Sequence, residues 1–163
     1  MANIKIVTGG QTGVDRAALD AALQSGTDCG GWCPEGRKAE DGMIPERYPL
    51  TELAGAKYAK RTRQNVIDSD ATVIIYFGAL SGGTEKTLLF CLNQKKPYLL
   101  IDATELSPTR AAERIQRFVS SHSVGTLNIA GPRASGEPLA YTYALQAISR
   151  FLRALQNSEK IVR

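Results

Sequence analysis

The sequence predicts an α/β domain built on a mostly parallel sheet. Three observations carry this prediction. β-branched runs at Ile4–Thr8, Ala71–Phe77 and Thr126–Ala130 alternate with segments of helical apolar spacing. The run Ala71–Phe77 is apolar without alternation, as in a strand covered on both faces. The strands ending at Thr8 and Phe77 pass through glycine-rich turns into helical segments, the layout of a parallel strand–turn–helix unit.

Taken in order, the first strand ends at Thr8 and is followed by Gly9-Gly10-Gln11-Thr12-Gly13. A helix is predicted from about Gly13 to Ser25. Its buried face is Val14, Ala17, Ala18, Ala21 and Ala22, small residues that allow close packing on the sheet. Gly26 ends it. Thr27–Cys33 is a glycine-weakened strand candidate. Residues 34–55 are punctuated by Pro and Gly and read as an irregular but packed segment, with Trp32, Ile44, Tyr48 and Leu50 as its apolar anchors. A loop this long inside a compact domain is commonly functional, and a lid or pocket wall is the expected role.

A helix follows over about Ala56–Asp68, then the strand Ala71–Phe77. The next helix, Thr84–Asn93, is apolar almost all round and is expected to be central. Pro97–Ile101 is a strand. Ser107-Pro108 starts a helix through an N-cap serine and a proline at the first helical position. Thr126–Ala130 is the last strand. The final helix places Leu145, Ile148, Phe151, Leu152 and Leu155 on one face, and a polar, frayed tail is expected from Asn157. The domain reading is therefore one domain over residues 1–156 with a short tail, 157–163.

The chain has 163 residues, enough for one domain with a substantial core. Its net charge of +4 favours anionic ligands, but the basic residues are scattered and argue against a nucleic-acid surface. The first strand begins almost at once, which argues against a signal peptide, and no apolar run is long enough to span a bilayer. Three cysteines do not make a disulfide framework, and a reducing cytoplasm is the expected compartment.

The glycine turns carry the chemistry. Residues without Cβ let a ligand reach the backbone, and the first N–H groups of the next helix have no intrahelical partner. The helix dipole adds positive charge there, so such a turn holds phosphate or another anion. Gly82-Gly83-Thr84 repeats the design of the first turn, with Lys86 in reach of a phosphate. In a parallel sheet these turns and the loop Gly131–Ser135 all open at the carboxyl ends of the strands, where ligands bind. Glu85 reads either as a dipole partner or as a group that binds a hydroxyl or acts as acid/base. Asp15 reads mainly as a dipole partner, Arg16 as phosphate ligand or surface, and Arg61 and Arg63 as solvated or near the second turn. Arg133, in the third loop, is well placed for phosphate. Cys29 and Cys33 lack the further ligands of a zinc site, and His122, the sole histidine, has no local support as a catalytic base.

The motifs also carry a resemblance. Gly9–Asp20, Gly31–Arg37, Ala39–Gly42, Tyr48–Leu50, Arg61-Thr62 with Asn65-Val66 and Asp68–Asp70, Gly82–Thr87 and Ala130–Ser135 together resemble the molybdenum carrier family. These are relatives of the molybdenum-cofactor carrier protein of green algae. The resemblance extends to about residue 155 and implies a Rossmann-like three-layer fold. It places the chain in a wider group with Lonely-Guy-type phosphoribohydrolases and the DNA-processing protein DprA. The implied ligand is the molybdenum cofactor, a phosphorylated molybdopterin, or its precursor. In that implied site Gly9, Gly10, Gln11, Thr12 and Gly13 hold one anionic group, and Gly82, Gly83 and Thr84 another. Arg37, Arg61, Lys86 and Arg133 supply charge, and Trp32 walls the pocket. Molybdenum would be held by the pterin dithiolene, with no protein metal ligand. A homo-oligomer and molybdoenzyme recipients are also implied. The alternatives are a nucleoside-monophosphate phosphoribohydrolase using Arg61 and Glu85, or a nucleotide sensor. The hydrolase motif is incomplete, since no Met-His stands before Arg61 and the loop Ser81–Glu85 is short.

Overall fold

The computed structural model describes residues 3–162. In chain order the elements are β1 (Lys5–Val7), α1 (Val14–Ser25), β2 (Asp28–Gly30), β3 (Trp32–Pro34), β4 (Lys38–Ala39), β5 (Gly42–Met43) and β6 (Thr51–Leu53). There follow α2 (Tyr58–Ile67), β7 (Ala71–Tyr76), α3 (Gly82–Asn93), β8 (Tyr98–Asp102), α4 (Pro108–Ser121), β9 (Thr126–Ala130) and α5 (Ala140–Val162). The main sheet has five parallel strands in the order β2-β1-β9-β7-β8.

Strand periodicity divides the core. Val73 and Ile75 of β7 join Ile6, Leu127 and Ile129 in a large cluster with α1, α4 and α5. Ile74, between them, packs with Val66 of α2 and Cys91 of α3 on the other side. The result is the Rossmann-like three-layer α/β fold. The small face of α1 works as expected, with Val14, Ala17, Ala18 and Ala22 all fully buried. Ser107 caps α4 by accepting from the Arg110 N–H at 3.2 Å.

Three expectations are corrected. First, Thr27–Cys33 is not one strand. Gly31 takes φ +126° and a Cβ there would run into the Thr8 backbone, so the chain breaks into β2 and β3. β3 then leaves the main sheet and pairs in parallel with β6. Second, α3 is not central. It buries only Thr84, Thr87 and Cys91, while Leu89 and Leu92 are half exposed, because this layer holds only α2 and α3. Third, the helical turns of α5 continue past Asn157 to Val162.

Candidate functional site

The loops after β1, β7 and β9 open together at the carboxyl ends of the strands. With the facing side of α2 they enclose a cleft of about 470 Å³. Its lining includes Gly9 and Gln11 from loop one, Asp15 from the first turn of α1, Arg61 and Asn65 from α2, and Gly82, Gly83, Thr84 and Lys86 at the start of α3. Loop three adds Gly131, Pro132, Arg133 and Glu137. A cavity of this size suits a small ligand.

Each contributor is fixed by local chemistry. Asn65 pins α2 to β3, accepting from the Trp32 N–H at 2.8 Å and donating to the Trp32 carbonyl at 2.9 Å. That places Arg61, one turn earlier, over loop one. Its Nη1 lies 3.5 Å from Asp15 Oδ2, with both side chains nearly buried. Gly9 makes the approach possible, because a Cβ on residue 9 would be driven into the Arg61 guanidinium. Arg61 Nε is buried without a hydrogen-bond partner. A buried donor left in this state is costly and marks a place where a further acceptor would be favourable.

Asp15 also accepts from the Gln11 N–H at 3.2 Å. Burial pushes its carboxyl above the ordinary value, while Arg61 and the N–H groups of loop one pull it back. The second cradle is different in kind. No side chain caps α3, so its leading N–H groups are not spent on one. A Cβ added at Gly82 or Gly83 would meet no atom within 4 Å. The backbone there is open to an incoming group.

Several expected site residues lie elsewhere. Gly10, at φ +77°, packs beneath Ile44 and Leu50 rather than facing the cleft. Gly13, at φ +79°, lets loop three close on loop one; its Cβ would sit 2.9 Å from Ala134 N. Thr12 donates to Glu40 and accepts from the Ala134 N–H. Arg37 is engaged within the 34–55 segment, its guanidinium donating to the carbonyls of Ile44, Pro45, Tyr48 and Leu50. Trp32 is not a cleft wall; its indole Nε1 donates to Asp68 at 2.7 Å. No residue of the 34–55 segment lines the cleft, because that segment packs behind loop one. Glu85 is exposed on α3 and outside the lining, so the structure does not bring it together with Arg61.

Sequence reasoning gave Asp15 a lesser role than its place against Arg61 supports. It missed Asn65, Asn128 and Glu137 as lining residues. An aspartate opening a helix after a glycine turn was the available signal for the first. Among the described residues no group of three His, Cys, Asp or Glu side chains comes together as a metal site, and no helix is long and apolar enough to cross a membrane.

The chain matches the Circularly permutated YpsA SLOG family over residues 6–152. It is also similar to a crystal structure from Syntrophus aciditrophicus SB, of a protein named "Putative molybdenum carrier protein". The two chains are 47% identical and superpose with a TM-score of 0.90, over 93% of this chain and 96% of the other. No curated protein matches the chain. The match of the family across nearly the whole domain, including all three cleft loops, shows that the chain belongs to the Circularly permutated YpsA SLOG family.

Proposed function

We propose that the cleft binds the molybdenum cofactor, a phosphorylated molybdopterin, or its precursor, and that the protein is a carrier for it. The observation that carries this reading is the pairing of two unsatisfied donor sets across one cleft. Arg61 Nε is buried without a partner on one side, and the open Gly82-Gly83 backbone at the start of α3 lies on the other. Lys86 and Arg133 add positive charge. The name of the 47%-identical relative supports molybdenum as the cargo. The metal would stay on the sulfur atoms of the pterin, which asks no ligand of the protein.

A carrier is favoured over an N-glycosidic hydrolase because Glu85 stands exposed outside the cleft lining while Arg61 stands within it. The protein would act in the cytoplasm and deliver to molybdoenzymes. A second copy would cover Leu89 and Leu92, the exposed apolar positions of α3. Calorimetric titration with a phosphorylated pterin and with a nucleoside monophosphate tests the reading. Binding of the pterin that is lost in Arg61→Ala supports it. Binding of the nucleotide alone would replace it with a nucleotide sensor.

A further inference from the structure

The turn joining β4 to β5 reaches two of the cleft loops without lining the cleft itself. Its two acids point to different tasks. Asp41 makes a two-pronged pair with Arg16, Nη1 to Oδ2 and Nη2 to Oδ1, each 2.9 Å. Arg16 Nε in turn donates to the Gly10 carbonyl at 2.8 Å. This arm fastens the turn to loop one. The Glu40 backbone N–H strengthens the same attachment by donating to Gln11 Oε1 at 3.0 Å.

The Glu40 carboxylate does something else. It accepts from the Thr12 hydroxyl on loop one. It also accepts from the Ser135 N–H at 3.1 Å and from the Ser135 hydroxyl, both on loop three. Arg133 Nε lies 3.8 Å from Glu40 Oε2. Hydrogen bonds to an ionised acceptor are the strong ones, and the two from Ser135 reach across 95 residues of the chain.

Two roles are open to such a carboxylate. It could stand in for a ligand anion, or it could hold the loops that bind one. Position decides between them. Thr12, Ser135 and Glu40 lie outside the cleft lining, with Glu40 and Ser135 exposed, whereas Gln11 and Arg133 lie within it. The turn is held by Asp41 and by the Glu40 N–H whether or not the carboxylate is there. We propose that Glu40 is a positioning residue whose carboxylate ties loop three to loop one and so sets Arg133 at the rim for an anion bound in the cleft. This rests on the reading of the cleft as an anion site.

Inorganic phosphate is the probe, titrated calorimetrically into wild type, Glu40→Ala, Glu40→Gln, Ser135→Ala, the Glu40→Ala/Ser135→Ala double variant and Arg61→Ala. Hydrogen exchange of loop three is followed in the same proteins without phosphate. Glu40→Ala is expected to weaken phosphate about tenfold, the loss of one Arg133 hydrogen bond to the charged ligand, and to speed exchange at Ala134 and Ser135. Glu40→Gln, of equal length, is expected to recover part of the affinity, and also keeps the test open should the alanine variant fold poorly. The double variant is expected to be weaker than Glu40→Ala by much less than the Ser135→Ala factor, since both residues serve one tie. Unchanged affinity in Glu40→Ala, with binding lost in Arg61→Ala, would overturn the positioning role and leave the anion cleft standing. Tighter binding in Glu40→Ala would overturn it in favour of a stand-in anion. If wild type does not bind phosphate at all, the anion cleft fails and the positioning role fails with it.

Discussion

Replacing Gly83 by alanine should make the protein more stable and its cleft less able to bind. Gly83 lies in the first turn of α3 without a positive φ, and a Cβ there meets no atom within 4 Å. The folded state therefore accepts the methyl group without strain. The unfolded chain loses backbone freedom, a gain of roughly 0.4–1 kcal/mol for a compatible Gly→Ala change. For a domain of this size that raises Tm by about 1–4 °C. The same methyl group stands where an anion would approach the backbone. Loss of one hydrogen bond to a charged ligand costs about 1.5–3 kcal/mol, or about 10- to 100-fold in Kd. Thermal melts without ligand and calorimetry with phosphate read the two effects separately. Unchanged affinity would refute the second cradle, and a lowered Tm would refute the helical, unstrained placement of Gly83.

Gly13→Ala combines a φ of +79° with a clash against the backbone of loop three; a loss of about 3 kcal/mol is expected, and an unchanged melt would contradict the closure of loop three on loop one. Arg37→Lys keeps the charge but loses the planar fork that serves the carbonyls of 44–50; it should lower Tm and leave phosphate affinity unchanged, and a selective loss of affinity would restore Arg37 to the ligand. Asp15 sets a pH dependence. Its carboxyl is raised from 3.8 chiefly by burial, so in the window just above that value the folded state holds more protons than the unfolded one. Stability from this group therefore falls as pH rises through the window. In urea unfolding from pH 3.5 to 7, Asp15→Asn should gain relative to wild type with rising pH, and a flat or falling difference would contradict the buried, raised carboxyl.

Much of the fold was legible because its signals are local. The unbroken β-branched run of β7, the Ser107-Pro108 start of α4 and the glycine turns before α1 and α3 each state their structure within a few residues. The placement of the cleft followed from parallel-sheet geometry alone. What was not legible depends on distant partners. Arg37 reads as a free cation in a loop until the fold curls four carbonyls around it. Asp15 reads as a helix-dipole partner until α2 brings Arg61 to it. The apolar residues of α3 count as core by composition, yet a two-helix layer leaves Leu89 and Leu92 uncovered. The split at Gly31 depends on the Thr8 backbone, far back in the chain.

If the cleft of Arg61 and Gly82-Gly83 holds a phosphorylated pterin, that molecule should accompany the protein through gentle purification. Native mass spectrometry of protein from cells that make the molybdenum cofactor reads this outcome. The expected result is a bound species that releases a pterin phosphate, with or without molybdenum, and that is missing from Arg61→Ala. A released nucleotide, or a pterin retained undiminished by Arg61→Ala, would contradict it.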